Sequence, residues 1–282
     1  MRARTTGLKA RTVTRSFFEA PPEEVAPRLL GKILEHRTEV GVLAGRIVEV
    51  EAYLGPHHQP PDPAAHSFRG PTDRNRVLFG PAGHAYVYAI YGRYFCMNIS
   101  CELEGRAGCV LLRALEPLIG LDAMARQRGI LPGALRAADH GEYSLLPPKP
   151  QKQGRGVGGA ALRAADYGEY FSLPSKPQKQ ERGVGGAPEA CSGAHWNGIN
   201  SRDLTSGPSR LCQALGLTRA GQNGADLVDE NSALRVLEDG WQPERTVSTP
   251  RIGIKEAVDW PLRFAVAGHE CVSGPKALRG AR

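Results

Sequence analysis

The sequence predicts a mixed α+β fold, and two observations carry that reading. The first is residues 81–100, PAGHAYVYAIYGRYFCMNIS, where Tyr86, Tyr88, Tyr91, Tyr94 and Phe95 crowd into ten residues of a chain that is only 6% aromatic. Val, Ile and Tyr at this density form strands. Pro81-Ala82-Gly83 supplies the turn before them, and Tyr91-Gly92 can divide them into the two strands of a hairpin. The second is a set of short helix signals with proline near their starts and glycine at their ends, scattered between further strand-like runs. At 282 residues the chain has room for one large domain or two small ones.

Taken in order, residues 1–18 are basic, lack acids and have no apolar signal-peptide core. Residues 1–16 read as a disordered basic arm, with a mitochondrial presequence as the alternative. Residues 21–34, PPEEVAPRLLGKIL, read as a short helix. Pro21 and Pro22 precede Glu23 and Glu24 in the first turn, Val25, Leu29 and Leu30 form its apolar stripe, and Gly31 stops it. Residues 46–54, RIVEVEAYL, read as a strand with Val48, Val50 and Ala52 on one face and Ile47, Glu49, Glu51 and Tyr53 on the other. Two carboxylates on one face either look into water or floor a cleft in which one of them is a general base.

The loop 55–73 holds His57, His58 and His66 without regular metal spacing. His57 and His58 read as solvent residues, and His66 as packed or pocket-lining. In the hairpin Tyr86, Tyr88 and Ile90 point one way, and Val87, Ala89 and Tyr91 the other. A turn at Gly92 leaves Tyr91 at the tip beside Arg93, which is the shape of a wedge for a nucleic-acid stack; ordinary strand packing is the alternative. Residues 109–115, CVLLRAL, form another strand, interrupted by Arg113. A buried guanidinium needs an acid, and Glu49 or Glu51 is the candidate. Such a pairing keeps the carboxylate ionised, as a base must be, whereas an edge-strand arginine merely snorkels.

Glu116-Pro117 then opens a helix over 118–127 that stops at Gly129. Residues 135–160, LRAADHGEYSLLPPKPQKQGRGVGGA, return 27 positions later as LRAADYGEYFSLPSKPQKQERGVGGA, residues 162–187. This Gly-, Pro- and Lys-rich tandem duplication places a disordered insertion over 131–202. Beyond it, residues 203–208 cap a helix over 209–215, strands follow at 233–237, 251–254 and 261–266, and the tail 269–282 frays. The net charge of +7 favours an anionic partner, with nucleic acid ahead of membrane. Six cysteines without a CxxC pair or zinc spacing read as mostly reduced thiols, and no run of about 20 apolar residues suggests a membrane span.

The ordered set RIVEVEAYLGP, AAHSFRGPTDRN, PAGHAYVYAIYG, CMNIS, VLLRALEPLIGL and SGPSRLCQALGL resembles the alkyladenine (3-methyladenine) DNA glycosylase family, of the methylpurine-DNA glycosylase type. The resemblance covers about residues 17–129 and 203–266. It implies a single domain, residues 17–130 and 203–268, around a curved antiparallel sheet with flanking helices and a protruding hairpin. It implies a monofunctional, monomeric enzyme without metal or cofactor that excises damaged purines from double-stranded DNA, in the cytoplasm or nucleoid of a bacterium or the nucleus of a eukaryote. On that resemblance Glu51 is the base that activates water, and Arg113 helps hold that water. Tyr53, His66, Tyr88, Asn98 and the backbone at Ile252 form the base pocket and water site, with Tyr88 on the opposite face of the base from Tyr53 and His66. Tyr91 fills the gap left by the flipped nucleotide, and Arg74 and Arg93 contact DNA. The loop 55–65 is longer and richer in proline than the family pattern. Two other functions compete: a damaged-DNA-binding protein without catalysis, and a nucleoside hydrolase using Glu49 and Glu51 together.

Overall fold

Strand β3, Gly41–Tyr53, is the axis of the protein. The structure, a computed structural model, describes residues 10–130, 195–196 and 199–274. The duplication and residues 131–194 of the expected disordered insertion over 131–202 lie outside the described residues, but its end is structured: β7, His195–Trp196, pairs with β8, Ile199–Asn200, and a helix starts at Ser201. At 13 residues β3 is long enough to serve three neighbours. Its first half pairs with β2, Ile33–Thr38; its second half pairs with β11, Arg263–Val266; and β6, Gly108–Ile119, runs along its other edge. The sheet continues from β6 through β5, Tyr94–Cys101, to β4, Ala85–Ile90. On the far side β2 meets β9, Leu234–Glu238, which meets β1, Arg11–Thr12, while β10, Thr246–Thr249, pairs with β11. All these pairings are antiparallel, in one nine-stranded sheet.

One face of the sheet carries the main core. Val25 and Leu29 of α1 (Pro22–Leu29), Met124 of α2 (Leu121–Gln127) and Leu211 of α4 (Pro208–Ala214) pack there against Val50 and Leu112. A short α3, Ser201–Thr205, precedes α4, and α5, Arg219–Gln222, follows it. The opposite face is covered by the loop after β3, where Leu78, Tyr86 and Cys109 form a second, smaller cluster with Tyr53 and Tyr88. The α+β expectation holds, and among the described residues no helix is long and apolar enough to cross a membrane.

Several expected boundaries move. Helix α1 ends at Leu29, and Ile33 and Leu34 belong to β2 instead. Gly31 turns the chain at φ 91°, and a Cβ there would lie 2.7 Å from the Trp241 ring, so only glycine fits this corner. The basic arm is not wholly free: Arg11 and Thr12 pair with β9, Arg11 bonds Glu238, and Phe18 is fully buried. Strand β6 runs past Leu115 to Ile119, and Pro117 is tolerated because it sits at an irregularity beside Gly45. Helix α2 therefore starts only at Leu121. Asp203 lies inside α3, and Asn200 supplies the cap by accepting from Arg202 N–H. Residues 251–254 are loop, and the strand expected there lies earlier, as β10. The tail does not fray at 269, since Cys271 and Val272 are fully buried. His57 stays exposed, as expected, while His58 is half-buried, and both ring Nε2–H groups donate to Glu102. The five described cysteines are free and buried.

Candidate active site

The site grows from an irregularity in β3. The pairing with β6 runs Ile47 to Leu115, Glu49 to Ala114, Val50 to Leu112 and Glu51 to Leu111, so that Val48 and Arg113 fall at bulges. Bulges re-aim side chains, and they gather near functional sites. Here the bulge sends Ile47 into the main core with Val48 and Val50, against strict alternation, while Glu49, Glu51 and Tyr53 keep the other face. That face is not in water, for Glu49 and Glu51 are both fully buried.

Both carboxylates are held by cations and N–H donors. Arg113 Nε donates to Glu49 Oε1 at 2.8 Å, and its Nη1 lies 3.2 Å from Glu51 Oε1. Glu51 Oε1 also accepts from the backbone N–H of Ile252 at 2.7 Å, and Glu51 Oε2 accepts from the Tyr53 hydroxyl at 3.0 Å. A carboxylate has about four acceptor positions, so one remains for a further donor. Glu49 is more crowded: Arg263 Nε at 2.7 Å and Ser273 Oγ at 2.8 Å join Arg113 on Oε1, and Ser273 N–H donates to Oε2. Burial pushes Glu49 upward, but Arg113, Arg263 and the Ser273 N–H outweigh it and hold the carboxyl below its ordinary value of 4.5. Burial, reinforced by Glu51, raises Tyr53 far above the usual phenol range, so its proton stays on the hydroxyl.

The partners of Glu51 form a wall. Tyr53, Arg113 and Ile252 line a cavity of about 730 Å³, together with His66, Arg74, Tyr88, Tyr91 and Asn98. Glu51 lies one layer behind this wall. His66 Nδ1 and the Tyr86 hydroxyl are 3.1 Å apart, and burial and then Arg74 lower the His66 pKa, which leaves a neutral ring at pH 7. The Tyr86 and Tyr88 rings stack at 5.0 Å, and His66 meets Tyr88 edge-on at 4.6 Å. His66 and Tyr88 are thus in contact, and a planar base enters between them only if one ring moves. Asn98 Nδ2 donates to Cys109 Sγ, while its Oδ1 is buried without a protein partner. Arg74 lies over the Tyr88 ring at 5.7 Å, at the cavity rim.

The hairpin tip is as the sequence predicts. Tyr91 and Gly92 both have positive φ, 50° and 75°, in the three-residue loop that joins Ile90 to its partner Tyr94. Tyr91 is 92% exposed. Arg93 folds back over Tyr94, with its guanidinium 4.7 Å from the ring centre. Across the sheet the site is a single row: Tyr86 pairs with Asn98, Asn98 with Leu111, Leu111 with Glu51 and Glu51 with Arg263. Paired residues share a face, so this row puts the cavity side of β4 and β5 and the carboxylate of β3 on one face.

Residues 16–139 and 152–270 match the family model for methylpurine-DNA glycosylase. The chain belongs to the methylpurine-DNA glycosylase family. A protein of Koribacter versatilis is 38% identical over 264 residues, covering 94% of each chain. A protein of Methanoculleus marisnigri is also 38% identical over 264 residues, covering 93% of this chain and 98% of its own. One of Rhodopseudomonas palustris is 36% identical over 263 residues, covering 93% and 88%. Each carries the name "Putative 3-methyladenine DNA glycosylase". The stretch that the family model leaves unmatched, 140–151, falls inside the first copy of the duplication.

This glycosylase is therefore a DNA-acting hydrolase of N-glycosyl bonds. Sequence reasoning singled out the residues that line its cavity and passed over those that hold them. Arg263 and Ser273 secure Glu49. Asp62 and Arg251, both fully buried at the side chain, form a two-point ion pair, and Arg251 also donates to Ala52 O and lies 4.6 Å over the Tyr53 ring. Fixing Arg251 fixes the adjacent Ile252 N–H on Glu51. The only sequence signal for Asp62 was an acid in a proline-rich loop.

Proposed function

We propose that this glycosylase takes an alkylated or deaminated purine, of the 3-methyladenine, 7-methylguanine and hypoxanthine class, out of duplex DNA and hydrolyses its N-glycosidic bond with an activated water. The observation that carries the reading is the exposed Tyr91 at the end of the same hairpin whose Tyr88 and Asn98 line the cavity in front of Glu51. A base inside a duplex cannot be reached, and extruding it costs a few kcal/mol. An aromatic wedge offsets that cost by filling the vacated space.

Glu51 is the general base. Its remaining acceptor position takes a proton from water, and the hydroxide equivalent attacks the anomeric carbon as the purine leaves. Arg113 and the Ile252 N–H hold the carboxylate in place. Tyr53, His66 and Tyr88 supply aromatic surface, which attracts a purine made cationic by alkylation. Opening the His66–Tyr88 contact is part of base entry. A base N–H that reaches Asn98 Oδ1 satisfies its free acceptor, which gives the pocket a means of ranking purines. Arg74 and Arg93, at the rim and at the hairpin, contact the phosphates on either side.

The test is single-turnover base release from duplexes with one hypoxanthine or one alkylated adenine, comparing wild type with Tyr91→Ala. Wild type releases the base. Tyr91→Ala binds the lesion duplex more weakly by about 1–3 kcal/mol, roughly 5- to 150-fold. Equal affinity rejects the wedge, and tight lesion binding without release by wild type favours a damaged-DNA-binding protein.

A further inference from the structure

His57 and His58 have no part in the proposed chemistry, and neither lines the cavity. Their Nε2 atoms converge on Glu102 Oε1 at 2.8 and 3.1 Å, and the potential ligand atoms of all three residues lie within 4.8 Å of one another. The local backbone is arranged around this meeting. Glu102 leaves β5 with φ 72°, a left-handed conformation that strains a non-glycine residue. It is held there by its N–H, which donates to Phe18 O at 2.9 Å. A Cβ on residue 55 would lie 2.7 Å from the His57 ring, so Gly55 is what lets that ring fold back towards Glu102.

Hydrogen bonding alone accounts for only half of the Glu102 carboxylate. Oε1 takes both ring N–H groups, while Oε2 is buried without a partner. An orphaned buried acceptor is destabilising, because its lost hydration is not replaced. A Cβ on residue 108 would come within 2.6 Å of that oxygen, so Gly108 keeps its space open. His58 Nδ1 faces the Glu23 carboxylate at 3.9 Å, and Glu23 Oε2 is likewise buried without a partner.

We propose that His57, His58 and Glu102 bind one divalent transition-metal ion of the zinc class. Two imidazole nitrogens and a carboxylate oxygen are a donor set that suits zinc. Zinc bonds of about 2.0–2.1 Å in tetrahedral geometry set donors roughly 3.3–3.4 Å apart, a short step from the contacts seen here. Glu23 is the outer carboxylate that orients His58 through Nδ1, the arrangement that usually supports a metal-bound histidine. The ion ties the loop after β3 to the end of β5 and the start of α1. That loop continues through Asp62 to His66, so the metal anchors one end of the segment whose other end walls the cavity. The site is structural and stands apart from the proposed chemistry.

The test uses the untagged full-length chain, stripped with a chelator and titrated with zinc against a chromophoric competitor, with metal content measured by mass spectrometry. One zinc per chain is expected, and zinc raises the melting temperature. The double variant His57→Asn/His58→Asn keeps Glu102 and its packing but loses more than about 100-fold in affinity, together with the thermal shift; Glu23→Gln loses about 10-fold. Substituted cobalt shows visible bands without thiolate charge transfer, which separates this site from the cysteines. Absence of stoichiometric binding, undiminished affinity in the double variant, or a thiolate spectrum overturns the proposal.

Discussion

Glu51→Gln abolishes base release while leaving lesion binding close to wild type. The substitution keeps the shape of the side chain and its acceptor towards Ile252 N–H, turns an amide NH2 donor towards the Tyr53 oxygen, and removes the proton-accepting charge beside Arg113. Positioned general bases contribute about 10²–10⁴-fold, so single-turnover excision of hypoxanthine or alkylated adenine falls by at least that factor. Fluorescence anisotropy with the same duplex measures the binding arm. Excision retained by the variant removes Glu51 from the mechanism. Loss of both excision and binding, at an unchanged melting temperature, assigns Glu51 to recognition instead.

The second large effect falls on Glu49, the carboxylate whose acceptor positions are taken by two arginines and Ser273. Glu49→Gln leaves Arg113 and Arg263 buried, with their shared anion gone. Breaking a buried ion pair from one side costs about 3–5 kcal/mol, which urea unfolding at pH 7 measures. The pH dependence has a definite sign. Because Glu49 is held below 4.5 in the folded protein, the unfolded chain takes up the proton first as acid is added. Wild type therefore has the full Glu49 contribution above the ordinary carboxylate range and loses it as the pH falls from there through the lowered folded value. Glu49→Gln shows a flatter acid limb. Parallel acid limbs for the two proteins refute the assignment. The nucleoside-hydrolase alternative needs Glu49 as a second catalytic carboxylate, whereas in the structure it is saturated by two arginines and Ser273.

How far the sequence could be read depended on the range of the interactions. Glu51, Tyr53 and Tyr91 were legible because strand alternation and a glycine turn are local, and each fixes where a side chain points. Arg113 was legible because a charge in an apolar strand demands a partner, although both carboxylates turned out to share it. Arg251 and Arg263 were not legible. Their partners, Asp62 and Glu49, lie 189 and 214 residues away, and a charged residue in a loop or at a strand end reads as surface. The bulge that moved Ile47 into the core depends on β6, so β3 alone could not reveal it. The meeting of His57 and His58 was missed for a similar reason: the Glu102 they turn towards is set by the end of a different strand.

The row that joins Tyr86, Asn98, Leu111, Glu51 and Arg263 has a consequence for how this chain can change length. Its members come from five strands, and each is on the working face by the parity of its position. One residue gained or lost between Gly45 and Glu51 turns the carboxylate towards the main core, and the same change in β5 removes Asn98 from the cavity. Length can vary freely only where no strand of the row is crossed. The 27-residue duplication lies between α2 and α3, after β6 has ended and long before β11 begins. A chain can thus lengthen by a tenth there while the distance across the row from Tyr86 to Glu51 stays set by the spacing of strands, about 4.8 Å each.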